Sequence, residues 1–578
     1  MSAFEEFLND PAGVLPDDAL NPDPQELDDD DLTDPALAYL HDDALPDPDT
    51  GCIVAVIDDA IPFAHELLRL SGGHSRVASI WVQDAAFRPG GAGADLPSGI
   101  ELRGVEIGTW LAQAQAGTIP GEDAIYRLSG VLDMNRDTTP SAAYAHGHGA
   151  AVAMLAAGFR PDDPQARNHP VIAVNLPPRI TEDSMGTLSP IVLLASILFI
   201  ISRARRLCRL IETRKGLPAG SVRLPVVVNI SFGLTAGARD GSSLFEQFMD
   251  AVSAGGIAGL GKVHFVLPTG NHRLARLHAR MTPGEDLGWR LPPDDRTVTG
   301  LEIWGPARQG LPAAKMQVSL AAPGHATVTT AFTAIWQVSL LADADGNELA
   351  RAYYTPRNLG NGRWREGVTV IIMPTCPERL GEPYAPSGEW RIGVAAGSPA
   401  GDYDLTVQRD EVIRGFHREA RQSWLHDGVY QVYDEAGRLV LNDPQPNPGG
   451  KVLRRGTFNG YAGGRHSLRA GAVDQLSRKP LPYCSMLKDG QGGDCMTPVD
   501  RAITQPGMTA SGRGSGSFGL MSGTSMAAPQ LARWVAAQMA QGAALDDRAA
   551  VRAHAAAQVP TQPGEPPIIP DSAGFPPF

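Results

Sequence analysis

The sequence predicts an α/β fold, a parallel sheet with helices on both faces, interrupted by an inserted all-β, sandwich-like domain. Three observations lead there. Short, continuous apolar runs recur between helix-length segments in the first half of the chain. From about Leu301 to Arg409 the pattern changes to segments that alternate apolar and polar residues. Near Gly456 the first pattern resumes and carries a helix after Gly523.

Each element has its own signal. Residues 52–57, reading Cys-Ile-Val-Ala-Val-Ile, end in Asp58-Asp59 and predict a strand buried on both faces. Similar strands are expected at 171–174, 226–230 and 263–267, with helices at His148 to Ala157, Ser189 to Leu210 and Ser243 to Ala258. Strands alternating with helices imply right-handed parallel crossovers. Residues 316–320, 336–340, 390–394 and 403–407 alternate with period two, as strands of an antiparallel sandwich do. The run Ile191 to Ile201 is strongly apolar but about half the length a membrane span needs, and arginines follow at 203, 205 and 206, so it predicts a buried core helix. Asp343-Ala344-Asp345-Gly346-Asn347-Glu348 reads as a hairpin turn at Asp345-Gly346, not as a calcium loop.

The chain thus divides into an acidic tail (1–50), a first α/β part (51–290), an inserted β-rich domain (291–455), a second α/β part (456–559) and a Pro-rich C-terminal tail (560–578). At 578 residues it exceeds what one hydrophobic core fills. Its net charge of -15 is localised: residues 1–50 hold sixteen Asp or Glu and no Lys or Arg, leaving the other 528 residues at about +1. Such a tail is expected to be disordered, or ordered only by docking, with a cleft of the chain's own body as one surface it could cover. A near-neutral body beside a negative tail argues against nucleic-acid binding. The first residues, Met-Ser-Ala-Phe-Glu-Glu, have neither the basic start nor the apolar stretch of a secretory signal, so a cytoplasmic location is expected. Five scattered cysteines (52, 208, 376, 484, 495) without a CxxC pair suit reduced thiols, with a Cys484–Cys495 disulfide as the other possibility.

The chemistry is concentrated in four stretches. Gly523-Thr524-Ser525-Met526-Ala527-Ala528-Pro529 places a serine at a predicted helix N-terminus, where free N–H groups and the helix dipole stabilise negative charge. A plain N-cap serine is the other reading. This heptapeptide resembles the nucleophile motif of the subtilase (subtilisin-like) serine peptidases, Gly-Thr-Ser-Met-Ala-x-Pro. The family's order is Asp, His, Asn, Ser. Val56-Ile57-Asp58-Asp59-Ala60 is similar to its aspartate motif, with alanine where the family has glycine, and favours Asp58 over Asp59. His146-Gly147-His148-Gly149-Ala150-Ala151-Val152-Ala153 offers two registers of its histidine motif, and only His148 sets Val152 and Ala153 at the family's offsets. Val266-Leu267-Pro268-Thr269-Gly270-Asn271 resembles the strand that ends in the oxyanion-hole asparagine.

The resemblance therefore implies a serine endopeptidase with Ser525 as nucleophile, His148 as general base, Asp58 as its orienting carboxylate and Asn271 as oxyanion donor. Asn229-Ile230-Ser231-Phe232-Gly233 resembles the segment lining the primary specificity pocket, so Ser231, Phe232, Gly233, Thr269 and Gly270 are the expected substrate contacts. A protein or peptide would bind as an added strand. The reaction needs no metal or organic cofactor, and His65-Glu66-Leu67-Leu68 lacks the aspartate of a family calcium site. A different class of function, a subtilase-like scaffold that binds partners through its β insertion, is the alternative.

Overall fold

The computed structural model describes residues 38–86, 96–135, 140–181, 189–377, 379, 381–410, 420–444, 449–502, 504–559 and 565–569. Strand β1 (Ile53–Asp58) is buried along its whole length because helices cover both faces. Val54 and Val56 enter one apolar core while Ile53, Ala55 and Ile57 enter another, as the two-residue period of a pleated strand requires. The other strands of this sheet are β2 (Val77–Val82), β3 (Ile100–Arg103), β4 (Val171–Asn175), β5 (Val226–Ile230), β6 (Val263–Pro268), β7 (Leu468–Val473) and β8 (Cys495–Pro498). They lie in the order β8-β7-β6-β5-β1-β4-β2-β3. All are parallel except β3, which pairs antiparallel with β2 at the edge.

The helices are α1 (Gly104–Gln115), α2 (Glu122–Leu128), α3 (His148–Ala157), α4 (Ser189–Lys215), α5 (Leu244–Ala254), α6 (Thr524–Ala540) and α7 (Arg548–Gln558), besides a single turn at Pro178–Thr181. Helices α3 and α6 pack on the Val54 and Val56 face, and α4 and α5 on the other. Helix α4 runs five residues past its expected end, until Gly216 turns the backbone to φ +63°. It buries Leu193, Ile197, Ile200, Ala204, Leu207 and Ile211 and leaves Ile191 exposed, a helix packed on one side. No helix among the described residues is long and apolar enough to cross a membrane.

Twelve antiparallel strands between His278 and His426 form two further sheets. One takes the order Val328–Thr329, Val318–Ala321, Gly388–Val394, Glu285–Leu291, Trp424–His426. The other runs Val338–Ala342, Glu348–Tyr354, Arg363–Ile372, Thr299–Gln309, Tyr403–Val407, His278–Met281, with Arg357–Asn358 beside Arg363–Ile372. Trp289, Trp390, Leu301, Ile303, Val370 and Leu405 fill one shared apolar core. The first two strands begin before residue 291, the expected start of this region. In the first of them the alternation is hidden because His278 is polar yet buried, with its ring Nε2 3.3 Å from Asp404 Oδ1.

The acidic segment also differs from expectation where it is described. Tyr39, Leu40, Ala44 and Leu45 are buried in the core beneath Ile53 and Ile57. Tyr39 O accepts from Gly104 N at 3.0 Å and Leu45 O from Arg167 Nε at 2.7 Å. The first contact sits beside Val77 at the amino end of β2 and the second just before β4, both away from Asp58 at the carboxyl end of β1. Residues 1–37, and with them most of the proposed docking tail, lie outside the described residues. So do 560–564 and 570–578 of the Pro-rich tail, whose Ile569 N bonds Met496 O at 2.9 Å beside β8.

Candidate active site

Strands β2 to β4 lie on one side of β1 and β5 to β8 on the other, so strand order reverses at β1. In open α/β sheets the crevice beyond the carboxyl ends at such a reversal is where ligands bind. A cleft of about 280 Å³ opens there, lined by Asp58, Asp59, His148, Ser231, Phe232, Gly233, Gly270, Asn271 and Ser525 among others.

Asp58 closes β1 and His148 opens α3, and Asp58 Oδ1 accepts from His148 Nδ1 at 2.8 Å. Two small residues permit this approach. A Cβ on Gly149 would fall 1.6 Å from Asp59 O, and one on Gly147 2.6 Å from the Ala60 Cβ. Ala60 itself has φ +46°, a conformation that costs alanine more than glycine. Ala60→Gly is therefore expected to stabilise the protein by about 0.5–1 kcal/mol, seen as a higher urea midpoint at unchanged slope. An unchanged midpoint would mean that the turn carries no strain.

The His148 ring is 39% exposed while Asp58 is 5% exposed. Burial pulls the imidazole pKa down, but the charge and hydrogen bond of Asp58, with the charge of Asp59, outweigh it and push the pKa up to about 9. Asp59 is raised to about 6 by burial and by Asp58 beside it, and its Oδ1 accepts from Gly149 N at 3.2 Å. Asp58 Oδ2 is buried without a hydrogen-bond partner among the described residues. Ligand atoms of Asp58, Asp59 and His148 lie within 4.8 Å of one another, a grouping that could hold a metal ion. His146 is exposed and lies against Gly512 and Gly519, outside the cleft lining.

Ser525 is the second residue of α6. Its Oγ donates to Ser231 O at 3.4 Å, and no hydrogen bond joins it to His148 among the described residues. Pro529 lacks the N–H that would bond Ser525 O within the helix. That carbonyl instead accepts from Ser231 Oγ at 3.0 Å, and Ser231 Oγ accepts from Asn229 Nδ2 at 3.1 Å. The wall after β5 is thereby tied to the serine's own helix. Asn271 Oδ1 accepts from Thr524 N at 2.8 Å and Thr524 Oγ1 at 3.0 Å. These donors fix the amide's orientation, so its NH2 remains as the donating group.

Of the expected substrate contacts, Ser231, Phe232, Gly233 and Gly270 line the cleft. Thr269 does not: its side chain is fully buried, with Oγ1 3.6 Å from Cys484 Sγ, because successive residues of the chain leaving β6 point to opposite sides. Asn459 and Arg409 line the cleft unforeseen. Asn459-Gly460 reads as a turn, and Arg409 belongs to the β region, so neither carried a local signal.

No protein-family model matches the chain, and no curated protein does. Among solved structures it is similar to the CspB protease of Clostridium perfringens, at TM-score 0.59 and 16% identity, over 90% of this chain and 91% of that one. The fold is shared with that protease. A parallel-containing sheet accompanied by antiparallel sheets is thus an architecture with a solved precedent along nearly its whole length.

Proposed function

We propose that the chain is a subtilisin-like serine endopeptidase that hydrolyses internal peptide bonds through an acyl-enzyme intermediate. The observation that carries this reading is one cleft holding a carboxylate-bonded histidine, a serine at a helix N-terminus and an asparagine whose amide NH2 is left to donate. The fold it shares with a protease agrees with it. A peptide lies extended along 231–233. Ser525 Oγ attacks the carbonyl carbon as His148 Nε2 takes its proton, and Asp58 holds the ring and stabilises the imidazolium. Asn271 and the Ser525 N–H receive the oxyanion. His148 returns the proton to the departing amine, and water then cleaves the acyl-enzyme by the same route. The five cysteines are free thiols, which supports a reducing, cytoplasmic setting for the enzyme.

The raised pKa of His148 sets a pH profile. Only the neutral imidazole accepts the serine proton, so kcat/KM is expected to climb with pH up to about 9. Asp59→Asn removes one of the negative charges that raise it, so the same limb should move to lower pH. A limb that stays in place would show that Asp59 does not act on His148. For stability the sign is opposite. With a folded pKa above the unfolded value, the His148–Asp58 pair contributes fully below pH about 6.5 and is lost as pH rises through about 9.

The missing Ser525–His148 hydrogen bond favours a second reading, a scaffold that binds without turnover. Fluorophosphonate labelling of the purified full chain separates them, since the probe reacts with an activated serine. Labelling of wild type that vanishes in Ser525→Ala supports the peptidase. A folded wild type that never labels, with or without residues 1–37, leaves the scaffold. Labelling only after removal of 1–37 would make the tail an inhibitor.

A further inference from the structure

We propose that Asn459 closes the primary side-chain pocket, so that the residue on the acyl side of the cleaved bond must be glycine, alanine or serine. The inference rests on the peptidase reading and specifies its substrate. In an extended peptide bound along 231–233, that side chain drops between the segments leaving β5 and β6, which are neighbouring strands. Asn459 stands in this gap. Its Nδ2 donates to one wall at Phe232 O, 3.1 Å away, and to the other at Pro268 O, 3.2 Å away.

The plug is anchored on every polar side-chain atom. Asn459 Oδ1 accepts from Leu234 N at 3.3 Å and Tyr461 N at 3.0 Å, and its backbone N donates to Thr269 O at 2.8 Å. It is 4% exposed. Swinging it aside would strand buried carbonyls without donors, which disfavours an induced opening. Asn459 also packs directly on Gly233. A Cβ on Gly233 would fall 2.2 Å from Asn459 Cγ, so not even a methyl group fits on that wall. On this proposal a hydrogen, a methyl or a hydroxymethyl group is accepted above the amide, and leucine or phenylalanine is excluded.

The test uses peptidyl diphenyl phosphonates that differ only in the acyl-side residue, alanine, leucine or phenylalanine, reacted with the full-length protein. On wild type the alanine probe should label Ser525 about tenfold or more faster than the other two. In Asn459→Ala that ratio should shrink toward one. Reading a ratio within each protein cancels a general loss of reactivity, and if the variant does not fold, the wild-type ratio still decides. Equal rates on wild type, an unchanged ratio in the variant, or no labelling by the alanine probe where a simple fluorophosphonate does label, each overturns the proposal alone. No labelling even by the fluorophosphonate sinks the peptidase reading, and this inference with it.

Discussion

Ser525→Ala and His148→Ala should each lower peptide hydrolysis by about 10⁶-fold, and the double variant should lose no more than either alone. The magnitude is that of subtilisin, where the serine and the histidine act as one unit. The non-additivity has a physical basis. A serine hydroxyl is a poor nucleophile unless its proton is removed during attack, and a histidine without the serine has nothing to activate. Losing either residue therefore removes the whole covalent route. What survives comes from the oxyanion donors and from binding. Steady-state kinetics on a single peptide measure all three variants. Independent, multiplying losses would mean that the two side chains act in separate steps, and the assignment of His148 as the base of Ser525 would fall.

Asp58→Asn should cost about 10⁴-fold, whereas Asp59→Asn should only shift the pH profile. The substitution at Asp58 is nearly isosteric, so the loss would arise from tautomer and charge. An amide facing Nδ1 no longer compels that nitrogen to carry the proton, and it offers no negative charge to the imidazolium. Asp58 Oδ1 is the atom 2.8 Å from the ring, while Asp59 bonds the backbone of Gly149. A large loss at Asp59 with activity kept at Asp58 would reverse the two roles.

Much of the sheet and of the cleft's lining was legible in the sequence. The proposed catalytic residues sit where a local pattern meets a forced geometry, such as a buried strand that must end at Asp58 or a helix that must start after Gly523. The alanine after Asp58-Asp59 is visible in the sequence, and only the structure shows that it takes a left-handed backbone, which favours glycine. What could not be read depends on distant partners. Tyr39 and Leu40 are a short apolar island in an acidic segment, and only the face of β1 and α4 shows that they are buried. His278 and Asp404 satisfy one another across two strands, which no period-two pattern signals. Asn459 lies nearly two hundred residues or more from the walls it joins, and its role exists only once the sheet has formed.

The four proposed working side chains follow one another through the chain as Asp58, His148, Asn271 and Ser525, and the β-rich region stands between the third and the fourth. Because synthesis begins at the amino end, the nucleophile is the last of them to be made. A growing chain can complete the sheet edge, the base and the oxyanion donor, and can fold the β-rich region, while it still has nothing with which to attack a neighbour. Helix α6 must then dock against α3 and β6 before Ser525 meets the rest. Cutting power would thus arrive in a single late event, which would protect ribosome-bound copies from one another.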